Sequence, residues 1–349
     1  MSGMRNQVAL PLLVALGLLF GAACISSLAE SSHDVAQADG LYFPRGINLS
    51  GAELNATRTP ARYGVDYIYP PTQELDYYAG KGFEVVRLPF RWERVQPSLF
   101  GELHEAELAR IRNFIVAARA HRMRVILSPH NFGRYVINGR ETLIGTPDVP
   151  IGAFSDFCRK LALAVAKEDG VYGLSLMNEP HDTGALWKKT AQAGLDAIRS
   201  VDRERLVLAP GDQWSGAWSW RRYNANFILN DAANNVIYEA HQYFDFDHSG
   251  AYRVANNIGP GDGIELVAPF VEWLRQHNQR GIITEFGVPN DDPKWQAMVE
   301  RLLAYLADEK IPWTYWAGGP WWGGYPLSTE PKDGIDRPIM NVLSKDYRR

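Results

Sequence analysis

Eight short apolar runs punctuate residues 40–349, and a longer segment of different rhythm follows nearly every one. The runs are RGINLSG (45–51), VVRLPF (85–90), RVILSPH (124–130), YGLSLMNEP (172–180), RLVLAPG (205–211), VIYEAHQY (236–243), GIITEFG (281–287) and PWTYWAGG (312–319). Their length and their bounding turn residues read as strands. Between them, apolar residues return at helical spacing. Leu108, Ile111, Ile115 and Ala118 form one stripe. Trp295, Val299, Leu302 and Leu306 form another, introduced by Asp292-Pro293, a cap followed by a proline at the first helical position. The segment between the fifth and sixth runs carries the weakest helical pattern. Eight β/α units in one uninterrupted stretch predict an α/β protein, a (β/α)8 TIM barrel in a single domain. An open doubly wound sheet would usually carry a glycine-rich phosphate turn after its first strand. Here that turn reads GINLSGAE, without the G-x-G-x-x-G spacing.

The ends of the chain divide the remainder. Arg5, the apolar run Val8 to Cys24 and the small residues of Ser27-Leu28-Ala29 read as a signal peptide over residues 1–29. As an uncleaved anchor the run is short for a spanning helix and holds Pro11. A lipoprotein signal ending at Cys24 would have Gly21 where a Leu is usual. All three readings export the chain, to the periplasm or beyond, and cleavage of a signal peptide would leave no stable membrane insertion. Residues 30–39 read as a short polar tether, and residues 40–349 as the barrel domain. Cys158 shares a helical face with Phe154, Phe157, Leu161 and Val165 and reads as a buried small hydrophobe. The net charge is −4 with dispersed basic residues, which argues against a nucleic-acid partner. Eleven Trp are an excess whose exposed faces would suit sugar rings.

In a barrel of this kind, chemistry sits at the C-terminal ends of the strands. The first run delivers Asn48 and Glu53, the second Arg87, and the third His130 and Asn131. The fourth delivers Asn178, Glu179 and His181, and the fifth only Gly211 and Asp212. The sixth delivers His241 and Tyr243, the seventh Glu285, and the eighth Trp316, followed by Trp321 and Trp322. One polar residue at a strand end is ordinary. The glutamates, the arginine, the histidines and the tyrosine at one rim need partners, and the economical assumption is that they partner each other.

Arg87, His130, Asn178-Glu179-Pro180, His241-x-Tyr243, Glu285 and Trp316, in this order on these strands, resemble glycoside hydrolase family 5. GINLSGAE, PHNFGRY, MNEPHD, YEAHQYFDFDHSG and YWAGGPWWGGY are similar to its endo-β-1,4-glucanases, the cellulases. The resemblance implies a retaining hydrolase of internal β-1,4-glucosidic bonds, with no cofactor or metal, acting as a monomer on a β-glucan polymer or oligosaccharide. It implies Glu285 as nucleophile and Glu179 as general acid, then base. Arg87, His130, Asn178, His241 and Tyr243 are supporting residues. Trp316, Trp321, Trp322, Asn131 and His181 are expected at the substrate, and Trp214, Trp218 and Phe132 as platforms or loop packing. Trp92 is expected to pack against the barrel. The alternative is the same chemistry on mannan, xyloglucan or mixed-linkage glucan. A metal-dependent barrel hydrolase would carry H-x-H on its first strand, where this chain has Asn48-Leu49-Ser50.

That division of labour sets requirements. Arg87 and Tyr243 should donate to Glu285 and hold it ionised. Glu179 has to keep a proton near neutrality, which asks for partial desolvation and no tight cation.

Overall fold

The computed structural model describes residues 43–58, 60–253 and 261–348. The expected signal peptide, the tether and Cys24 lie outside them. Among the described residues no helix is long and apolar enough to cross a membrane.

Eight parallel strands close into a barrel in which each pairs with its neighbours in sequence, the last returning to the first. They are β1 (Arg45–Leu49), β2 (Val85–Phe90), β3 (Arg124–Pro129), β4 (Val171–Ser175), β5 (Val207–Pro210), β6 (Val236–His241), β7 (Gly281–Glu285) and β8 (Trp313–Gly318). The helices on the outside are α1 (Thr72–Gly80), α2 (Glu105–Ala120), α3 (Ile151–Val165), α4 (Leu186–Arg199), the single turn α5 (Trp220–Tyr223), α6 (Asp262–His277) and α7 (Pro293–Asp308). This is the expected (β/α)8 TIM barrel in one domain. The weak helical segment before β6 is indeed one turn long. The cap of α7 is as expected: the Asp292 carboxylate accepts from the Lys294 amide at 2.9 Å.

Helix stripes and outward strand residues share one large core. Trp92 is fully buried against Tyr135, Phe154 and Phe157. Cys158 is buried on the inner face of α3, and burial pushes its thiol up, out of reactive range.

One element was not anticipated. After β3 a hairpin pairs Arg134–Ile137 with Arg140–Leu143. Its turn is Asn138-Gly139, both with positive φ, the type I′ geometry that Asn-Gly favours. The dipeptide was legible in the sequence.

The barrel interior is stratified, because inward side chains recur at every second residue. Val85, Ile126, Leu208, Ile237 and Ile282 form a small apolar cluster of their own at the N-terminal end. Two residues further along β2, β3, β6 and β7 stand Arg87, Ser128, Glu239 and Thr284, all with no exposed surface. One layer higher come His130 and His241. A register irregularity between Ala240 and His241 sets Glu285, and not Thr284, opposite His241. The site is thus the third layer of a barrel whose second layer is already polar.

Candidate active site

Arg87 is the hub. Its Nη1 donates to Glu285 Oε1 at 2.5 Å and to Asn48 Oδ1 at 2.9 Å, and its Nη2 donates to Asn178 Oδ1 at 2.7 Å. The same Nη2 lies 3.1 Å from Glu239 Oε1. Burial alone would lower the guanidinium pKa, but Glu285 and Glu239 more than restore it. A buried cation with two carboxylate partners is also a structural keystone. Arg87→Met is expected to destabilise the fold by about 3–5 kcal/mol, because it strands two buried carboxylates. Urea denaturation reads this directly, and a loss below 1 kcal/mol, roughly what surface pairs give, would contradict it.

Glu179 and Glu285 meet at the mouth. Together with His241 they form a group whose ligating atoms all lie within 4.8 Å of one another. Tyr243 donates its hydroxyl to Glu285 Oε2 at 3.0 Å. His241 Nδ1 is 2.7 Å from Glu179 Oε1 and 3.7 Å from Glu285 Oε2, and its Nε2 is 3.6 Å from Glu239. Burial would lower the imidazole, but Glu285, Glu179 and Glu239 together raise it to about 9. His241 is therefore a cation near neutrality. Compact as it is, this trio suits a proton better than a metal ion, since Arg87 already covers Glu285 and His241 carries its own charge.

One sequence expectation needs revision here. Glu179 is expected to lack a close cation, and His241 is one. The reason is that His241 answers three carboxylates at once. The two donors expected at Glu285, Arg87 and Tyr243, are both in place; burial raises the carboxyl above its ordinary value, His241 and Arg87 pull it back, and Glu179 pushes it up.

Glu179 stands where β4 has ended, at φ 43, a left-handed backbone that non-glycine residues rarely take, and Pro180 follows it. Two hydrogen bonds hold the bend: Asn178 N–H to Pro129 O at 2.7 Å and Phe132 N–H to Asn178 O at 3.0 Å. Strain of about 1–3 kcal/mol is thereby kept where the carboxylate must project. Asn178 is fully buried, and its Nδ2 faces His130 Nε2 at 3.2 Å. Burial, then Arg87, Arg91 and His241, drive His130 well below its ordinary pKa, so it is neutral and accepts from Asn178. His130 also stacks on Trp316 at 5.6 Å between centroids. The ends of β7 and β8 approach closely: the Trp316 amide donates to the Phe286 carbonyl at 2.8 Å, and a Cβ on Gly287 would lie 2.4 Å from the Trp316 carbonyl.

Beyond this centre, the rim is aromatic. Trp214 stacks on His181 at 4.4 Å and Trp218 on His248 at 4.5 Å, both with exposed outer faces. Trp322 stacks on Tyr325, edge-on to Trp316, and Trp321 is exposed beside it. Asn131 does not join them. It is fully buried, its Oδ1 accepts from the Trp92 amide at 2.8 Å, and its Nδ2 donates to Glu93. Both ends of that amide brace the loop after β2, which removes it from the surface a ligand can reach.

The sequence profile described as Cellulase (glycosyl hydrolase family 5) matches residues 46–321. The chain belongs to this family. Its members are glycoside hydrolases, and this family 5 chain is an enzyme of that class. It is 35% identical over 340 residues to the probable endo-beta-1,4-glucanase B of Neosartorya fischeri, covering 94% of this chain and 99% of that one. It is 33% identical over 320 residues to endoglucanase 3 of Humicola insolens, covering 89% and 79%. Among solved structures it is similar to the Pseudomonas stutzeri endoglucanase Cel5A in complex with cellobiose, at TM-score 0.84 and 43% identity, covering 87% and 92%. It is also similar to XacCel5A in complex with cellopentaose, at TM-score 0.81 and 40% identity, covering 87% and 99%.

Deeper in the family 5 barrel, below the strand ends, lies a further charged residue. Glu239 is fully buried, two residues before His241 on β6. Ser175 Oγ donates to its Oε2 at 2.6 Å and Thr284 Oγ1 to its Oε1 at 2.7 Å. Burial would raise this carboxyl, but Arg87, His241 and Ser175 bring it down to about 2. The signal was present in YEAH: strand alternation puts Glu239 on the same face as His241. Glu53, another strand-end candidate, is also buried, bound by Ser50 Oγ and by the Gly51 amide at 2.8 Å. At the opposite end of the family 5 barrel a concavity of about 1300 Å³ is lined by Arg119, Asp169, Asp202, Arg205, Arg275 and Glu309 among others. These six pair among themselves as Arg119–Asp169, Arg205–Asp202 and Arg275–Glu309, an ordinary charged surface.

Proposed function

We propose that this enzyme is an exported, monomeric endo-β-1,4-glucanase, residues 40–349 forming its catalytic domain, that cleaves internal bonds of β-1,4-glucan with retention of anomeric configuration. The observation that carries the reading is that one carboxylate oxygen of Glu179 lies within 4.8 Å of one of Glu285. Retaining enzymes keep the two groups about 5–5.5 Å apart, whereas inverting enzymes leave about 6.5–9.5 Å for a water.

In the first step Glu285 attacks the anomeric carbon while Glu179 passes its proton to the departing glycosidic oxygen. The C–O bond to the leaving sugar breaks as the bond to Glu285 forms. In the second step Glu179, now a carboxylate, takes a proton from water, the water oxygen bonds to the anomeric carbon, and Glu285 departs. Arg87 and Tyr243 receive the charge that returns to Glu285. Asn178, whose amide is engaged by Arg87 and His130, holds those two side chains in register beside Glu179, and its contact to the sugar 2-hydroxyl is part of this reading. Trp316 floors the subsite of the reacting sugar, with Trp321, Trp322 and the His181–Trp214 stack as platforms to either side. The relatives' names, and the cellobiose and cellopentaose held by similar structures, favour β-1,4-glucan over other β-glycans.

Proton NMR of a digest of soluble cello-oligosaccharide is the test. The β-anomer is expected first, with the α-anomer growing in by mutarotation. Initial α-anomer would refute the mechanism. A product profile across carboxymethylcellulose, glucomannan, xyloglucan and barley β-glucan checks the polymer, with carboxymethylcellulose and barley β-glucan expected to lead.

A further inference from the structure

The centre of the barrel poses a charge-counting problem. Two cations, Arg87 and His241, lie among three carboxyl groups, Glu179, Glu239 and Glu285. Glu239 is completely buried and Glu285 very nearly so. A net charge enclosed in so little water is unfavourable, and the cheapest correction is one proton. Glu239 has the firmest hold on its negative charge: the guanidinium at 3.1 Å, two hydroxyl donors and the imidazole at 3.6 Å. The proton is therefore left to the pair above it.

We propose that Glu239 is a positioning residue for the hydrolysis, one whose fixed negative charge beneath Arg87 and His241 obliges Glu179 and Glu285 to keep one proton between them. It touches no substrate and acts through the two cations. This rests on the reading of Glu179 as acid and Glu285 as nucleophile. Without Glu239 the two cations would balance the two upper carboxylates alone. No charge imbalance would then hold a proton on the pair, and the leaving sugar would find none.

The groups facing this centre are Arg87 from β2, His130 from the end of β3, Ser175 from β4 and Glu179 beyond it. His241 and Tyr243 come from β6 and its extension, and Thr284 and Glu285 from β7. Glu53 after β1 and Tyr325 after β8 also act on Glu285, and burial raises both, which favours their neutral forms. His130 is neutral and Tyr243 stays a phenol, because burial pushes its hydroxyl well above the ordinary value. Removing the negative charge of Glu239 favours loss of the His241 proton and of the proton that the carboxyl pair above it shares. Every such shift is toward lower pH, so the alkaline limb of the activity profile must move in that direction.

Two variants separate charge from shape. Glu239→Gln keeps the outline and loses the charge, and Glu239→Asp keeps the charge and loses the outline. The pH profile of kcat/KM on carboxymethylcellulose is the readout, with thermal melting alongside. Glu239→Gln is expected to move the alkaline limb down by about one to two pH units, and Glu239→Asp to leave it within a few tenths of a unit, whatever either does to the melting temperature. An unmoved limb in Glu239→Gln, or an equal shift in both variants, would overturn the proposal. Should Glu239→Gln not fold, nitrogen-15 NMR of the parent enzyme decides. The His241 imidazole is expected to remain doubly protonated at about pH 8, and titration near its ordinary value of 6.5 would overturn the proposal. The parent is also the control for the underlying reading. A parent that fails to hydrolyse glucan counts against the catalytic assignment, whereas an active parent with an unshifted Glu239→Gln counts against Glu239 alone.

Discussion

Glu285→Gln abolishes turnover of carboxymethylcellulose, with kcat expected to fall on the order of 10⁴ to 10⁶-fold, as it does when a covalent nucleophile is removed elsewhere. The substitution is nearly isosteric. The amide oxygen still accepts from Arg87, and the fold and substrate affinity should survive. What is lost is the attacking oxyanion, since a neutral amide cannot form the glycosyl intermediate. Mass spectrometry after reaction with a 2-fluoro-cellobioside is the measurement. The parent should carry a sugar on Glu285 and the variant none. A labelled Glu285→Gln protein would sink the assignment. Azide offers a second view: with Glu285→Ala it should yield an α-glycosyl azide, attacking from the face the carboxylate has vacated.

Glu179→Ala divides substrates by their leaving groups. Loss of a general acid costs about 10²–10⁴-fold where the leaving oxygen needs a proton. Carboxymethylcellulose hydrolysis should fall by that factor. Formation of the glycosyl intermediate from 2,4-dinitrophenyl cellobioside should fall little, because dinitrophenolate leaves unaided. Its hydrolysis then lacks a base, so azide should accelerate turnover and give a β-glycosyl azide. Equal losses on both substrates, with no azide effect, would remove Glu179 from the acid–base role. The same variant deprives His241 of its nearest partner at 2.7 Å, so the imidazole should titrate below its parental value of about 9.

The barrel was legible because its strands are short, apolar and evenly spaced. Strand bounds ran long in the reading at the ends that carry function. YGLSLMNEP was read as one strand, whereas β4 stops at Ser175 and the chain bends to a left-handed Glu179. Periodicity reports burial, and burial continues past the last ladder hydrogen bond. The residues at the mouth were found for the converse reason: polar groups at the end of apolar runs stand out. Glu239 did not stand out, since it lies inside a strand rather than at its end. Asn131 misled because sequence position places a residue on the rim without saying which way its amide turns. The charge of His241 was equally out of reach, for it depends on three acids from three strands.

The apolar plug of Val85, Ile126, Leu208, Ile237 and Ile282 makes the barrel a blind well. Neither sugar nor solvent passes through it, so both halves of a severed polymer must depart sideways, the way the intact chain arrived. Where along its length a chain is gripped is therefore decided at the rim, by the exposed faces of Trp214, Trp218 and Trp321, and not by the floor. With internal bonds cut, viscosity of a glucan solution should collapse well before reducing sugar accumulates.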